Sequence, residues 1–514
     1  MIQHLTSLPV LLPMLAGILL LMPPCGKNQS LRRFVSVTLS VVTFLISIVL
    51  LLKVQADGTQ VYAIGDWSAP FGIVLVADPL STLLTSLTAL LGIVCVLYAS
   101  AGDDAKGSFF HPLVHFLIFG VNGAFLTGDA FNLFVFFEVL LIASYALLMH
   151  GGDKKNTRAA LQYVIMNLVG SAVFLIALGV LYGVLGTLNM ADMAQKVGLL
   201  QGDDVYLAKI GGLLLLVVFA LKGALLPLHL WLPNTYATAI PIVAALFAIM
   251  TKVGVYSMMR VYTLIFGDDA GELAHMAQDW LWWLALATIV MGAVGVLASQ
   301  DLRKLIANLV IVSVGTLVAL VTVQTVEASS AAIYYLVHST LVTAALFILA
   351  DLIGRQRGKV ADRITVGTPV SQPKLLGTCF IIAAVAVIGM PPLSGFIGKV
   401  WLLKSTVNYE YSFIFWPLYL LASLAVLFAV SKAGSTVFWH HQTKFEGKVT
   451  DNRSPERIQQ ERVQPAELAA LLILIVSAPL MSIFAGPLSE YAIDAATQLH
   501  DFNNNINIIL SGDQ

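Results

Sequence analysis

The sequence predicts an all-α integral membrane protein of about fourteen transmembrane helices, each close to the roughly 20 apolar residues that a bilayer core of about 30 Å requires. Three observations carry the prediction. Of 514 residues, 58% are apolar and only 11% are Asp, Glu, Lys or Arg, less than half of the about 25% usual in soluble proteins. A mean hydropathy of +0.87 means more apolar surface than a globule can hide from water. The apolar residues also run continuously instead of alternating, which excludes a closed β-barrel. Soluble enzymes, nucleic-acid binders and disordered chains are excluded with it.

The first run, near 5–22, is preceded by no Lys or Arg; a cleaved signal peptide has a basic leader, so this run is read as a span. The others lie near 31–52, 76–100, 111–128, 130–150, 160–186, 206–230, 238–266, 280–299, 303–323, 331–353, 373–402, 411–438 and 467–488. Asp78 and Asp129, at span ends, are read as helix caps, and Trp280, Trp282 and Trp283 as an interfacial belt. One set of alternate loops holds Lys27, Arg32 and Arg33; Lys106; Lys154, Lys155 and Arg158; Arg303 and Lys304; Arg355, Arg357, Lys359, Arg363 and Lys374; and six more from Lys432 to Arg462. These are 20 of the 28 basic residues. The opposite side holds five, Lys53, Lys196, Lys209, Arg260 and Lys404, among acidic residues such as Asp268, Asp269 and Glu272. The positive-inside rule then makes the rich side cytoplasmic and puts both termini outside. A net charge of −1 leaves no basic face for nucleic acid. Three scattered cysteines, and the absence of Walker A, GxGxxG or CxxCH patterns, predict no disulfide framework and no cofactor.

Three basic residues remain, Lys222, Lys252 and Lys399, and each lies within a span. A lysine at the bilayer centre costs about 2.5–3.5 kcal/mol on insertion scales. Snorkelling to a headgroup is the plain alternative, strongest for Lys399, which stands a few residues from the expected span end. Glu138 is the matching anion, the carboxylate inside the span near 130–150. An ammonium and a carboxylate removed from water both lose the hydration that keeps them charged, so a proton between them can move. A structural ion pair is the alternative.

Two lysine-bearing spans are also interrupted. Pro227 and Pro233 follow Lys222, and Pro391 and Pro392 precede Lys399. Proline frees a backbone carbonyl, tolerated where the break lines a hydrated cavity or is buried in protein. The two broken spans, the seventh and twelfth, lie five apart and run in opposite directions, which predicts two inverted five-helix repeats. The expected organisation is a three-helix segment (1–110), a first repeat (111–266), a second (280–438), a polar cytoplasmic loop (439–466), and a final helix with its tail (467–514). His338 is a candidate relay because histidine titrates near neutrality. His229, after the first break, is a candidate for a cytoplasmic half-channel, while His115 is read as packing.

These segments resemble a known family: the antiporter-like membrane subunits shared by respiratory complex I and the multisubunit Mrp-type Na+/H+ antiporters. Gly128-Asp-Ala-Phe-Asn-Leu-Phe-Val-Phe-Phe-Glu138 is similar to the fifth-helix segment with its essential glutamate. Lys222-Gly-Ala-Leu-Leu-Pro227-Leu-His229-Leu-Trp231-Leu-Pro233 is similar to the broken seventh helix, Thr251-Lys252-Val-Gly-Val-Tyr to the eighth, and Gly389-Met-Pro-Pro-Leu-Ser-Gly-Phe-Ile-Gly-Lys399 to the broken twelfth. Within the family the chain is most similar to the D subunits of the Mrp type. Complex I members usually read Leu-Pro-Asp-Ala-His where this chain has Leu232-Pro233-Asn234-Thr235-Tyr236. The family often carries a lysine five residues after the eleventh-helix histidine, and here Thr343 stands there, leaving His338 to relay alone or through water.

The resemblance implies a proton-translocating track of Glu138, Lys222, Lys252, His338 and Lys399 near the membrane midplane, with His229, Pro227, Pro391 and Thr343 as secondary candidates. It implies a transporter subunit and no cofactor, working with other subunits of a hetero-oligomeric antiporter, with protons and Na+ (alternatively Li+ or K+), in a bacterial cell membrane. The same module in a redox-driven pump of the complex I or hydrogenase kind is the alternative. A self-sufficient carrier of organic solutes is disfavoured, because no Arg is read in the membrane interior, Arg260 being assigned to the outer side.

Overall fold

The computed structural model describes residues 4–152, 154–439 and 462–510, and is almost entirely helical. In chain order the helices are α1 (Leu8–Leu21), α2 (Gln29–Asp57), α3 (Pro79–Ala99), α4 (Phe110–Leu126), α5 (Ala130–Met149), α6 (Lys154–Leu185), α7 (Met190–Val197), α8 (Asp203–Gly223), α9 (Trp231–Thr238), α10 (Pro241–Phe247), α11 (Met250–Leu264), α12 (Gln278–Ala298), α13 (Leu302–Val323), α14 (Val326–Gln356), α15 (Pro373–Ile388), α16 (Ser394–Ser405), α17 (Ser412–Phe438), α18 (Pro465–Ile483), α19 (Ala485–His500) and α20 (Phe502–Leu510). Among the described residues, eleven segments are long and apolar enough to cross a bilayer. The shorter apolar helices α1, α4 and α15 complete fourteen crossings, with α8–α9, α10–α11 and α15–α16 each acting as one broken or kinked span. The chain is a multi-pass membrane protein. The polar loop expected over 439–466 lies largely outside the described residues.

Local chemistry sets the helix starts. Asp78 and Ser81 form a reciprocal capping box at α3 behind Pro79, Asp129 accepts from the Asn132 amide at α5, and Asn189 caps α7. These side chains take up backbone amides that a helix start leaves without partners. Two short strands, β1 (Gln60–Ala63) and β2 (Val74–Ala77), pair antiparallel in the loop before α3; hydropathy alone gave no sign of them.

The two repeats are visible in matching joints. Asp129, at the start of α5, forms an isolated bridge with Asn189, and Asp301, at the start of α13, forms one with Arg363. Then α8 ends in left-handed Ala224 (φ 60°) and α15 in left-handed Gly389 (φ 81°). The matching units are offset by five crossings, an odd number, so they are inverted.

Burial separates an inner from an outer layer. In their most apolar stretches α10–α11, α13 and α14 bury 100%, 94% and 89% of residues, against 28% for α2 and 33% for α17. Two expectations are corrected here. Arg260 is not in a loop: it lies in α11, is 8% exposed, and bonds Asp78 and Tyr256. The membrane interior therefore does hold an arginine, one turn inside its span end, a depth that hydropathy cannot distinguish from a loop. Trp282 is 1% exposed and packs on Tyr409 and Phe415, whereas Trp280 and Trp283 face outward as a belt should. Asp78 caps α3 as expected and also holds Arg260. Beyond the last crossing, α19 and α20 fold back: Tyr491 donates to the Pro79 carbonyl and His500 bonds Ser329.

Candidate functional site

The five predicted residues lie in the helix bundle in two polar groups. Glu138 projects from α5 and receives the hydroxyl of Ser171 on α6. One turn earlier on α6, Asn167 Oδ1 accepts from Lys222 Nζ at 3.1 Å. Asn167 and Ser171, spaced i and i+4, share a helix face, and Gly170 between them lets α8 in close: a Cβ there would lie 2.5 Å from Leu221 Cδ2. Glu138 and Lys222 are thus joined through α6 instead of forming a direct ion pair, with the Phe137 ring 5.8 Å from the ammonium.

Lys252 lies one helix further in. Gly254 and Gly223 put α11 and α8 in backbone contact; a Cβ on Gly254 would meet Gly223 N at 2.6 Å. From α11, Lys252 Nζ donates to Ser313 Oγ on α13 at 3.2 Å. Lys222 and Lys252 are 5% and 2% exposed, so neither snorkels. Ser313 lines a cavity that His338, Ser339, Thr343, Lys399, Tyr419 and Ser423 also line, with about 30 Å³ reachable by the centre of a water molecule. A water needs about 10–15 Å³ on that measure, so the cavity has room for two or three. Thr343 lines it where a lysine would fill part of that space.

The second break supplies the rest of the second group. His338 Nδ1 shares a hydrogen bond of 2.9 Å with Ser394 Oγ at the start of α16. Lys399 Nζ donates to the Ile388 carbonyl at 2.7 Å and to Ser423 Oγ at 3.0 Å. Ile388 ends α15, so its carbonyl is one that the break strips of a helical partner; the lysine supplies the missing donor. At the first break Trp231 Nε1 donates to the Leu221 carbonyl, and the Leu226 amide donates to Thr288 Oγ1. Pro227 and Pro391 stand at the exposed outer edges of the two breaks. His229 is buried, and its Nδ1 has no partner among the described residues.

The structure therefore brings His338 and Lys399 to one cavity, which Lys252 reaches only through Ser313, and joins Glu138 and Lys222 across one helix. His115 does pack, bonded to Ser36. Sequence reading missed Asn167, Ser171, Ser313, Ser394 and Ser423. Small polar residues are common in membrane helices, and only the helical spacing of Asn167 and Ser171 carried a signal. Among the described residues no three His, Cys, Asp or Glu side chains gather as a metal site.

A model of the family described as "NADH:quinone oxidoreductase/Mrp antiporter, TM" matches residues 127–428. The chain is 39% identical to the D subunit of a Na(+)/H(+) antiporter of Bacillus subtilis (strain 168), over 91% of this chain and 92% of the relative. It is 37% identical to the D subunit of a probable K(+)/H(+) antiporter of Rhizobium meliloti (strain 1021), covering 97% and 96%. A chain in the structure of the Mrp complex from Dietzia sp. DQ12-45-1b superposes with a TM-score of 0.85 at 26% identity, covering 99% of both.

Proposed function

The chain belongs to the NADH:quinone oxidoreductase/Mrp antiporter transmembrane family, and from that premise we propose that it is the proton-translocating D-type member of a multisubunit monovalent cation/proton antiporter. It is a transporter component, not a catalytic enzyme. The observation that carries the reading is that Glu138, Lys222, Lys252, His338 and Lys399 each hold a polar side-chain partner from another helix. Two unit charges about 10 Å apart at an effective dielectric near 20 interact by about 1.7 kcal/mol. That exceeds the roughly 1.4 kcal/mol that shifts protonation tenfold, so loading one site alters occupancy at the next. Protons pass along the row through the two halves, taken as 111–266 and 280–438, and their movement drives the cation.

Na+ is the proposed cation. K+, which the Rhizobium relative's name carries, is the main competitor, and Li+ stands behind it. Partner subunits complete the site. Glu138 is only half-buried, on a face where Phe131, Val135 and Ile142 are exposed; a carboxylate there is better covered by another protein chain than by lipid. Both termini lie on the extracytoplasmic side of a bacterial cell membrane, as the distribution of basic residues requires. A redox-driven pump is the second reading, because the matching family spans both kinds of machine.

The test uses everted vesicles from antiporter-deficient cells carrying the whole antiporter complex. Na+, then K+, is added to a respiration-generated ΔpH followed by a pH-sensitive dye. Cation-triggered collapse is expected, and Glu138→Gln and Lys222→Ala should each abolish it while assembly persists. Retained exchange in either variant would overturn the track, and no cation response from the intact complex would favour the redox-driven reading.

A further inference from the structure

Tyr335 on α14 and Tyr419 on α17 line the same cavity as Ser313, Lys399 and Ser423. Both are buried, at 7% and 1% exposure, and a phenol taken out of water needs a partner for its hydroxyl. The Tyr335 hydroxyl faces those of Ser313 and Thr316 on α13 and that of Tyr419. The Tyr419 hydroxyl faces those of Tyr335 and Ser423, yet none is placed to bond it, and it has no partner among the described residues. Its ring is fixed by a stack on Phe415 and by the Lys399 ammonium 5.7 Å from its centroid. A buried hydroxyl without a protein partner, beside room for two or three waters, is a group that water completes. The outer members of this set already hold the lysines: Ser313 accepts from Lys252 and Ser423 from Lys399. His338 is placed differently. The Ala386 carbonyl accepts from its imidazole. A Cβ on Gly395 would lie 1.9 Å from that carbonyl oxygen and 3.0 Å from His338 Nε2, so Nε2 is the donor and Nδ1 is left to accept from Ser394 Oγ. Both ring nitrogens are spent on the joint between α15 and α16.

We propose that Tyr335 and Tyr419 carry protons between Lys252 and Lys399, over the hydroxyl row Ser313, Tyr335, Tyr419 and Ser423 with cavity water closing its gaps, and that His338 is a positioning residue that holds the second break. The proposal rests on the proton-translocating function proposed above and changes the part played by one member, His338. The protons balance along the row. One leaves the Lys252 ammonium for Ser313 Oγ, each hydroxyl or water takes one proton and passes on its own, and the last goes from Ser423 Oγ to a neutral Lys399 amine. Every hydroxyl ends with the proton count it began with, its hydrogen bond reversed, and one positive charge has moved from Lys252 to Lys399. Hydroxyls suit this step because each one both donates and accepts, and turning about the C–O bond resets the row without repacking. An imidazole with both nitrogens committed to the joint has to break one of those bonds before it can carry a proton.

Everted vesicles carrying the complete complex separate this proposal from the antiport reading beneath it. A wild type without cation-triggered ΔpH collapse would overturn both together; the variants are compared where that response is present. Tyr419→Phe and Tyr335→Phe remove one oxygen and keep the ring. Each should slow exchange on the order of a hundredfold, the scale of a lost proton-transfer group, with the complex still assembled on a native gel. The double variant should be no slower than the slower single one, because both hydroxyls serve one path, whereas two independent packing faults would multiply. His338→Gln, which offers the joint a donor and an acceptor but cannot titrate, should keep exchange within a few fold of wild type. His338→Leu, which cannot hold the joint, should lose exchange and melt at a lower temperature. Wild-type exchange in either Phe variant, multiplied losses in the double variant, or a loss in assembled His338→Gln as deep as in His338→Leu would overturn the proposal while leaving the antiport reading intact.

Discussion

Lys222 shows what holds a charge inside a membrane bundle. Its ammonium has three donors, and its acceptor is Asn167 Oδ1, with the Phe137 ring adding a cation–π contact. A hydrogen bond to a charged group is worth about 1.5–3 kcal/mol, so the amide keeps the lysine in place while leaving it uncompensated by a permanent partner charge. An aspartate there would bind the proton relay too tightly, and a leucine would not hold it at all. Asn167→Leu is therefore expected to slow cation-driven ΔpH collapse about tenfold or more, the equilibrium factor of 1.4 kcal/mol, with the complex still assembled on a native gel. Wild-type exchange in that variant would remove Asn167 from the site. At the other end Lys399 has two acceptors, one of them a carbonyl released by the helix break. The break and the buried charge explain each other.

Among the elements, the joint between α15 and α16 is the most closely fitted. Gly389 is left-handed, and a Cβ on it would also meet Lys399 Cδ at 2.5 Å. A Cβ on Gly395 would lie 1.9 Å from the Ala386 carbonyl oxygen and 3.0 Å from His338 Nε2. The first of these contacts is with backbone and cannot yield without moving α15 from α16. Gly395→Val should destabilise the protein by about 1–3 kcal/mol, the usual penalty of overpacking, and displace His338 from Ser394. Gly377 in α15 is the internal control, because its Cβ would meet only Phe438 at an ordinary 3.6 Å. Gly377→Ala should be neutral or stabilising by about 0.5–1 kcal/mol through helix propensity. Melting curves of the detergent-purified complex check both, and equal stability of the two variants would show the joint to be loose.

The whole molecule is fastened at the rim rich in basic residues by ion pairs that link distant spans. Arg355 on α14 joins Asp351 to Glu467 on α18, and Arg303 meets Asp362. Asp104, in the loop between α3 and α4, receives a two-toothed bond from Arg33 on α2 at 2.7 and 2.6 Å and a further contact from His111 at 3.2 Å. Burial alone would raise the Asp104 carboxyl, but the Arg33 hydrogen bonds and His111 outweigh it and hold it well below the usual carboxylate range. A folded-state value below the unfolded one of about 3.9 contributes stability that is complete above that value and is lost only as pH falls through the lowered one. Asp104→Asn should therefore lower the melting temperature equally at pH 6 and pH 8, and the gap to wild type should close only below about pH 4. A gap that changes between pH 6 and pH 8 would show that another group governs this rim.

The order of spans, their broken members and the charges placed within them were all legible in the sequence. A bilayer tolerates few charges and demands long apolar runs, so each exception is conspicuous: Glu138, Lys222, Lys252 and Lys399 stood out because hydrocarbon makes them expensive. The serines and asparagine that hold them carry no such penalty and blend into any membrane helix. Depth was also ambiguous, which is why Arg260 read as a loop residue and proved to be a buried partner of Asp78. Only the tertiary structure decided which polar groups touch, since contact between α6 and α8 or α11 and α13 depends on helix rotation and close approach at glycines such as Gly170, Gly223 and Gly254. The cavity lined by His338 and Lys399 belongs to the same class. It is a property of the space between helices, and that space is set by packing, which no single stretch of sequence contains.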